Sequence, residues 1–148
     1  MKLLLVTATI FTMTVVQSPS REQLPAVYVE KEKVAVALAQ GGPLASVPDA
    51  RVSVNRRTGT GQVEIHEQET DIFYVVDGEA TFITGGSVVD GRVTAPAQIR
   101  GASIQGGQTH YLKVGDVIVI PAGTPHWFKE VPKSINYLLV KTLKPGEE

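Results

Sequence analysis

A short polar stretch, QVEIHEQETD at residues 62–71, concentrates side chains that can bind a metal ion or move a proton. If residues 62–67 form a strand, Gln62, Glu64 and His66 share one face and the apolar side chains share the other. Two interpretations follow. Either the polar face lies in water while the apolar face covers a core, or the polar face points inward and forms half of a metal site.

The second stretch, GDVIVIPAGTPHWF at residues 115–128, holds a histidine directly after a rigid turn. An apolar strand ends at Ile120, and two prolines and a glycine then fix the chain before His126. A turn so constrained holds the imidazole in one place, as a metal ligand requires. Together the two stretches favour the metal-site interpretation of the first.

Short strands must position both stretches, because Val, Ile, Tyr and Phe are frequent and Gly, Pro, Asn and Asp interrupt them at short intervals. The segment EKEKVAVALAQGG at residues 30–42 predicts one short helix that ends at its two glycines. Eight strands and one minor helix indicate a sandwich or a barrel. The predicted strands are residues 51–57, 62–67, 71–77, 79–84, 109–114, 116–120, 126–130 and 135–143.

The connections between these strands are of two kinds. The Asp-Gly pair at 77–78 and the Gly-Asp pair at 115–116 predict tight hairpin turns, because each has a residue that tolerates positive φ. Residues 85–107 are predicted to be an inserted loop, with glycines at both ends and a small hairpin within SVVDGRV at 87–93.

Composition describes an ordinary globular chain of 148 residues, 43% hydrophobic and 20% charged. The formal net charge of −1 leaves no basic excess to attract nucleic acid. The chain has no cysteine, which excludes disulfides and thiolate metal ligands.

The N-terminus has the layout of a secretory signal peptide over residues 1–20. One lysine precedes an apolar and Thr-rich run at 3–16, which is too short for a comfortable membrane span. Ser18 and Ser20 are small residues before a cleavage point at Arg21. The alternative is a buried N-terminal strand. Export predicts a periplasmic or secreted protein that has no membrane contact after cleavage.

The second stretch resembles the second motif of the cupin family, G-x5-P-x-G-x2-H-x3-N. Gly115, Pro121, Gly123 and His126 occupy its first four fixed positions, and Glu130 replaces the final asparagine. This is the more specific of the two motif matches.

The first cupin motif, G-x5-H-x-H-x3-4-E-x6-G, is matched more loosely. Counting back from Gly78 places Asp71 at the Glu position, His66 at the second His and Glu64 at the first His. The early glycine position falls on Thr58. The resemblance covers about residues 51–143, and the inserted loop lies where the family varies.

The resemblance implies an all-β double-stranded β-helix, the cupin jelly-roll barrel, over 51–143. Residues 21–50 would supply the short N-terminal helix and an extended arm. The implied metal ligands are Glu64, His66, Asp71 and His126. Such a nitrogen and oxygen donor set suits Fe, Mn, Ni or Zn and does not choose among them. Glu64 alternatively bonds the ring of His66 without touching the ion.

Two further residues are candidates for the pocket. Gln68 has the parity of Glu64 and His66 and reaches the site if the strand stays regular. His110 has the parity of Leu112 and is either an inward pocket residue or a hydrogen-bonded histidine at the rim.

The resemblance leaves two main classes of function open, beside a purely structural oligomer subunit whose barrel interior would be filled with apolar side chains. The first is an exported, metal-dependent enzyme that acts on a small molecule by Lewis-acid or O2 chemistry, of the dioxygenase, isomerase, lyase or decarboxylase type. Asp71 or Glu64, if free of the metal, would be its general base. The second is a non-catalytic protein that binds a small ligand, with or without metal. Either form is expected to be a homodimer that associates through the helix and strand 51–57.

Overall fold

The structure is a computed structural model that describes residues 23–143, so the predicted signal peptide lies outside the described residues. One helix, α1 (Lys31–Gln40), precedes the strands and ends at Gly41, whose φ is +78°. The strands are β1 (Gly42–Val47), β2 (Ala50–Arg57), β3 (Val63–His66), β4 (Glu69–Thr84), β5 (Ser87–Val89), β6 (Arg92–Ala95), β7 (Gln98–Gly101), β8 (Ser103–Gln105), β9 (Gln108–Lys113), β10 (Val117–Ile120), β11 (His126–Glu130) and β12 (Ile135–Leu143). The expected all-β architecture with one short helix is confirmed.

The 16-residue strand β4 links the two walls of the barrel. Its first half pairs with β10 and β12. Beyond β12, the strand order of that wall continues through β2 to β1. Its second half pairs with β9 and β11, and that wall continues through β3 and β7 to β6. All these pairings are antiparallel, as a double-stranded β-helix requires.

The predicted hairpin turn at 77–78 is wrong, because β4 runs straight through it. Gly78 has φ +77°, and a Cβ there would lie 1.9 Å from the carbonyl oxygen of Ser134. The glycine lets the strand pass from one wall to the other against the neighbouring chain. Positive φ is shared by hairpin turns and by irregularities within a long strand, so the residue type alone did not separate them.

The predicted hairpin at 115–116 is wrong for a related reason. β9 and β10 follow one another along β4, so the Gly-Asp pair joins two strands that have the same neighbour. Gly115 does adopt the expected positive φ, at +92°. Its N–H donates to the carbonyl oxygen of Val75, and the Val75 N–H donates to that of Asp116, each at 3.0 Å.

Residues 85–107, expected to be an inserted loop, contain the four strands β5 to β8. β5 pairs with β8, and β6 pairs with β7, so the hairpin predicted within 87–93 is also wrong. Apolar burial explains this pairing, since Val88 and Ile104 pack with Val63 and Ile83 on the outside of the second wall. β7 pairs with β3 and thereby extends the barrel wall that carries the polar stretch.

The barrel interior is filled at one end by apolar and aromatic side chains. They are Phe73, Val75, Ala80, Phe82, Leu112, Ile120, Phe128, Ile135, Tyr137 and Leu139. The polar candidates occupy the other part of the interior, where His66, Asp71 and His126 are all buried. Within residues 23–143 no helix has the length and apolar character needed to cross a bilayer.

Candidate metal centre

Three strands bring the four predicted ligands together. β3 carries Glu64 and His66, β4 carries Asp71, and β11 begins at His126. His126 lies directly opposite Glu64 in the pairing of β11 with β3. The turn before His126 is tied to the same strand, because the N–H of Gly123 donates to the carbonyl oxygen of His66 at 2.8 Å.

The imidazole Nε2 atoms of both histidines face both carboxylates. His66 Nε2 lies 3.4 Å from Oε2 of Glu64 and 3.5 Å from Oδ2 of Asp71. His126 Nε2 lies 3.9 Å from each of the same two oxygens. The ring centroids of the histidines are 5.2 Å apart. Both Nε2 atoms therefore lie within 3.9 Å of one oxygen of each carboxylate.

The other nitrogen of each ring has a fixed partner. His126 Nδ1 faces the carbonyl oxygen of Thr124 at 3.1 Å, so it must carry the proton and donate. His66 Nδ1 faces Oε1 of Gln98, which also accepts. Both Nε2 atoms are then left with a lone pair directed at the carboxylates, which is the tautomer that a metal ligand needs.

His126 Nε2 is the unusual atom of the site. It is buried and has no hydrogen-bond partner among residues 23–143. Burial also lowers the pKa of His126 below its ordinary value, against the opposing effects of Thr124 and the carboxylates. A neutral imidazole with an unused, buried lone pair is costly unless something binds it.

The donor set fits a divalent ion. Two ligands that each lie about 2.1 Å from one ion are roughly 3.0–3.4 Å apart in octahedral or tetrahedral geometry. The observed nitrogen–oxygen separations run from 3.4 to 3.9 Å, which is the upper end of this range and slightly beyond it. The ligand atoms of Glu64, His66 and His126 lie within 4.8 Å of one another, as do those of His66, Glu69 and Asp71.

Glu64 is held as an anion by the cations around it. Its Oε1 accepts from Nη2 of Arg57 at 2.8 Å, and its Oε2 lies 3.8 Å from Nη1 of Arg100. Burial alone would raise the pKa of Glu64, but the contact with His66 and the charges of Arg57 and Arg100 outweigh it and lower that pKa to about 2. One carboxylate oxygen is therefore engaged by Arg57 while the other remains directed at the histidines.

The two carboxylate oxygens of Asp71 also have different partners. Its Oδ1 accepts from Nζ of Lys141 at 2.7 Å, while its Oδ2 faces the histidines. Lys141 also donates to Oε2 of Glu69 at 3.1 Å, and Glu69 pairs with Arg51. Burial would raise the pKa of Glu69, but Lys141 and Arg51 outweigh it, so that pKa is lowered.

The two additional pocket candidates lie outside this cluster. β3 ends at His66, so the regular strand that would have turned Gln68 inward does not continue, and Gln68 is exposed in a bend. His110 is half-buried on β9, where its Nε2 forms a hydrogen bond with Oγ1 of Thr84 at 2.8 Å. Of the two alternatives for His110, this contact favours the hydrogen-bonded histidine over the pocket residue.

Sequence reasoning missed the residues that support the site. Arg57 and Lys141 lie in predicted strands, but nothing in the local sequence marks them as partners of buried carboxylates. Gln98 and Arg100 lie in the segment that was expected to be a loop. A partial signal existed only for Arg57, since Arg56 and Arg57 point to opposite faces of a strand and at most one of them can face the interior.

The chain belongs to the cupin family, whose model matches residues 49–148. This agrees with the antiparallel barrel and with the place of the candidate ligands inside it. Comparison with curated proteins finds no match.

Several solved structures share the fold. Protein BH2720 from Bacillus halodurans has a TM-score of 0.55 at 15% identity, with 86% of this chain and 87% of that chain covered. The cupin domain of Cnp3 from Schizosaccharomyces pombe has a TM-score of 0.51 at 12% identity, with 84% and 70% covered. TT1209 from Thermus thermophilus has a TM-score of 0.50 at 17% identity, with 72% and 84% covered. At these identities the likeness concerns the fold alone.

Proposed function

We propose that the chain binds a divalent metal ion through Glu64, His66, Asp71 and His126 and acts with it on a small molecule. The observation that carries the proposal is the buried Nε2 atom of His126, which faces two carboxylate oxygens and has no hydrogen-bond partner in the described part of the chain. When bound, an ion of the Fe, Mn, Ni or Zn type supplies Lewis acidity or redox chemistry with O2.

The surrounding residues prepare this donor set. Arg57 and Lys141 each hold one oxygen of a carboxylate, which fixes the other oxygen toward the histidines. A base whose pKa is about 2 accepts a proton poorly at neutral pH, so Glu64 is better suited to ligation than to general-base catalysis.

Metal content of the purified protein tests the proposal. Protein produced without a histidine tag should contain close to one equivalent of a divalent transition metal by elemental analysis. His126→Ala should remove it, while the matched His110→Ala variant should retain it, because His110 is bonded to Thr84 and belongs to neither group of candidate ligands. Wild-type protein that takes up no ion, or equal metal loss in both variants, would contradict the proposal.

A second candidate is a non-catalytic cupin that holds a small ligand in the same barrel, with or without metal. One observation favours it: Arg57 and Lys141 already neutralise Glu64 and Asp71, so the buried carboxylates are balanced without an ion. This candidate predicts normal folding after metal removal and ligand binding without turnover. Conversion of a bound compound to product would exclude it.

Export and dimer formation complete the proposal. The predicted leader supports a periplasmic or secreted protein, and the intact mass of protein recovered outside the cytoplasm would show whether about the first twenty residues are removed. Exposed apolar side chains on β4 and β10 support a homodimer through a surface other than the helix and strand 51–57 expected from the sequence. Val117 lies opposite Tyr74, and both are exposed, as is Val119. Sedimentation of the wild type against Val119→Glu would test that association.

A further inference from the structure

A small cavity adjoins the candidate metal centre at Arg100. It has a volume of about 260 Å³. Its lining residues are Gln62, Asp90, Arg92, Arg100, Gly101 and Ala102. Most of them come from the segment 85–107, and two of them are arginines. We call this cavity the arginine cleft.

Strand register connects the arginine cleft to the buried ligands. His126 lies opposite Glu64, Glu64 opposite Arg100, and Arg100 opposite Arg92. Residues opposite one another in paired strands point to the same face, so these four form one row from the interior outward. Arg100 belongs to both regions, since it lines the cleft and its Nη1 lies 3.8 Å from Oε2 of Glu64.

The charge of the region is positive. The ion-pair network around the centre contains the carboxylates of Glu64, Glu69 and Asp71 and the cations of Arg51, Arg57, Arg100 and Lys141. With neutral histidines, three carboxylates therefore face four cations. In the cleft Asp90 offsets Arg92, so the excess positive charge remains. A bound divalent ion would add two further positive charges.

Arg100 is also the cation of the network with the weakest fixed partners. Its contact with Glu64 is long, and its only other polar contact within residues 23–143 is a 3.5 Å hydrogen bond to the carbonyl oxygen of Ile99. Arg57 and Lys141, by contrast, make contacts of 2.8 and 2.7 Å. The planar guanidinium of Arg100 therefore has donors left for a ligand, and a guanidinium binds oxyanions in a bidentate manner.

We propose that the arginine cleft binds the oxyanion group of a small ligand, a carboxylate or a phosphate, between Arg92 and Arg100. The ligand would extend along the row of side chains toward Glu64 and His126. As an assignment of substrate class this inference rests on the proposed function, but anion binding in the cleft does not itself require a metal. The insert between the two halves of the barrel then selects the ligand.

Isothermal titration calorimetry with three probes tests the inference: succinate, inorganic phosphate and the neutral analogue succinamide. At least one anion should bind, succinamide should not, and added salt should weaken the binding. Arg92→Gln and Arg100→Gln should each weaken it by about tenfold or more, since each removes a charge-assisted contact. Arg56→Gln is the matched control, because Arg56 is exposed and outside the cleft. Whichever anion binds more tightly identifies the oxyanion.

Several results would overturn the inference. These are binding of neither anion, equal binding of succinamide, or arginine variants that bind like Arg56→Gln. Arg92 is exposed, so its variant should fold even if the half-buried Arg100 proves structurally important.

A metal-free arm separates this inference from the proposed function. His126→Ala should lose the ion yet retain binding that depends on Arg92 and Arg100. Retained binding in wild-type protein that takes up no metal would support the cleft and contradict the metal proposal. Binding lost in His126→Ala but normal in both arginine variants would place the anion elsewhere and overturn the inference.

Discussion

Gln98 donates a hydrogen bond from its Nε2 atom to Oε2 of Glu69 at 3.4 Å. A deprotonated carboxylate only accepts, so this contact turns the amide oxygen of Gln98 toward Nδ1 of His66. That nitrogen then carries the proton, and Nε2 of His66 keeps its lone pair for the centre. A residue of the insert thus sets the tautomer of a buried histidine on β3.

Removal of this contact should weaken metal binding without unfolding the barrel. We expect Gln98→Ala to lower metal affinity by about 10- to 100-fold, because loss of an orienting partner lets the ring rotate and change tautomer. Competition with a fluorescent chelator measures the change. Gln105→Ala is the control, since Gln105 is exposed on β8. A Gln98 variant with wild-type affinity would show that the ring is oriented by packing alone.

Acid should destabilise the metal-free protein through Glu64. Its folded pKa is about 2, below the ordinary value of 4.5, so its contribution is complete above pH 4.5 and is lost as the pH falls toward 2. The contribution is at most about 3 kcal/mol. The lowered pKa of His126 acts with the same sign but begins near pH 6.5.

Urea unfolding at a series of pH values separates these two effects. Glu64→Gln cannot titrate, so its stability should fall less steeply than that of the wild type between pH 4.5 and 2. Between pH 6.5 and 4.5 the stability of the variant should fall at least as steeply as that of the wild type, because the Glu64 charge opposes the lowering of the His126 pKa. Parallel curves between pH 4.5 and 2 would contradict the assigned pKa of Glu64.

Arg57 and Arg56 are adjacent and should differ sharply in their contribution to stability. Arg57 pairs with Glu64 at 2.8 Å, and its guanidinium carbon lies 4.8 Å from the ring centroid of Phe128. Arg57→Ala should reduce the free energy of unfolding by about 1–3 kcal/mol, because it leaves a half-buried carboxylate without its partner. Arg56 is exposed, and Arg56→Ala should change that free energy by less than about 0.5 kcal/mol. Equal losses measured by urea unfolding would argue against an interior role for Arg57.

The strand periodicity and the two motifs were sufficient to predict the barrel and to select the residues that meet inside it. Their spacing reflects local constraints, namely alternation along a strand and the rigid turn before His126. The partners of those residues depend on long-range register. Lys141 faces Asp71 only because β12 lies beside the first half of β4, which no local pattern encodes.

The insert was the least predictable part of the chain. Its glycines and short polar runs are typical of loops, and its apolar residues are too few to show a period. Val88 pairs with Ile104, which lies sixteen residues further along the chain, and Gln98 pairs with His66 on another strand. Its contributions to the site therefore appear only in the folded chain.

At Gly78 two causes of strain can be separated. Gly78→Ala would impose positive φ on an alanine and also place its Cβ 1.9 Å from the carbonyl oxygen of Ser134. At Gly85 φ is +72° and no neighbouring atom lies within 4 Å of such a Cβ. Gly85→Ala therefore measures only the free-energy cost of positive φ in an alanine. We expect Gly85→Ala to cost about 1–2 kcal/mol. Gly78→Ala should cost several kcal/mol more or prevent folding, because the backbone of β4 must move away from its neighbour. Thermal unfolding followed by circular dichroism makes the comparison, and similar midpoints for the two variants would show that β4 does not pass so close to Ser134.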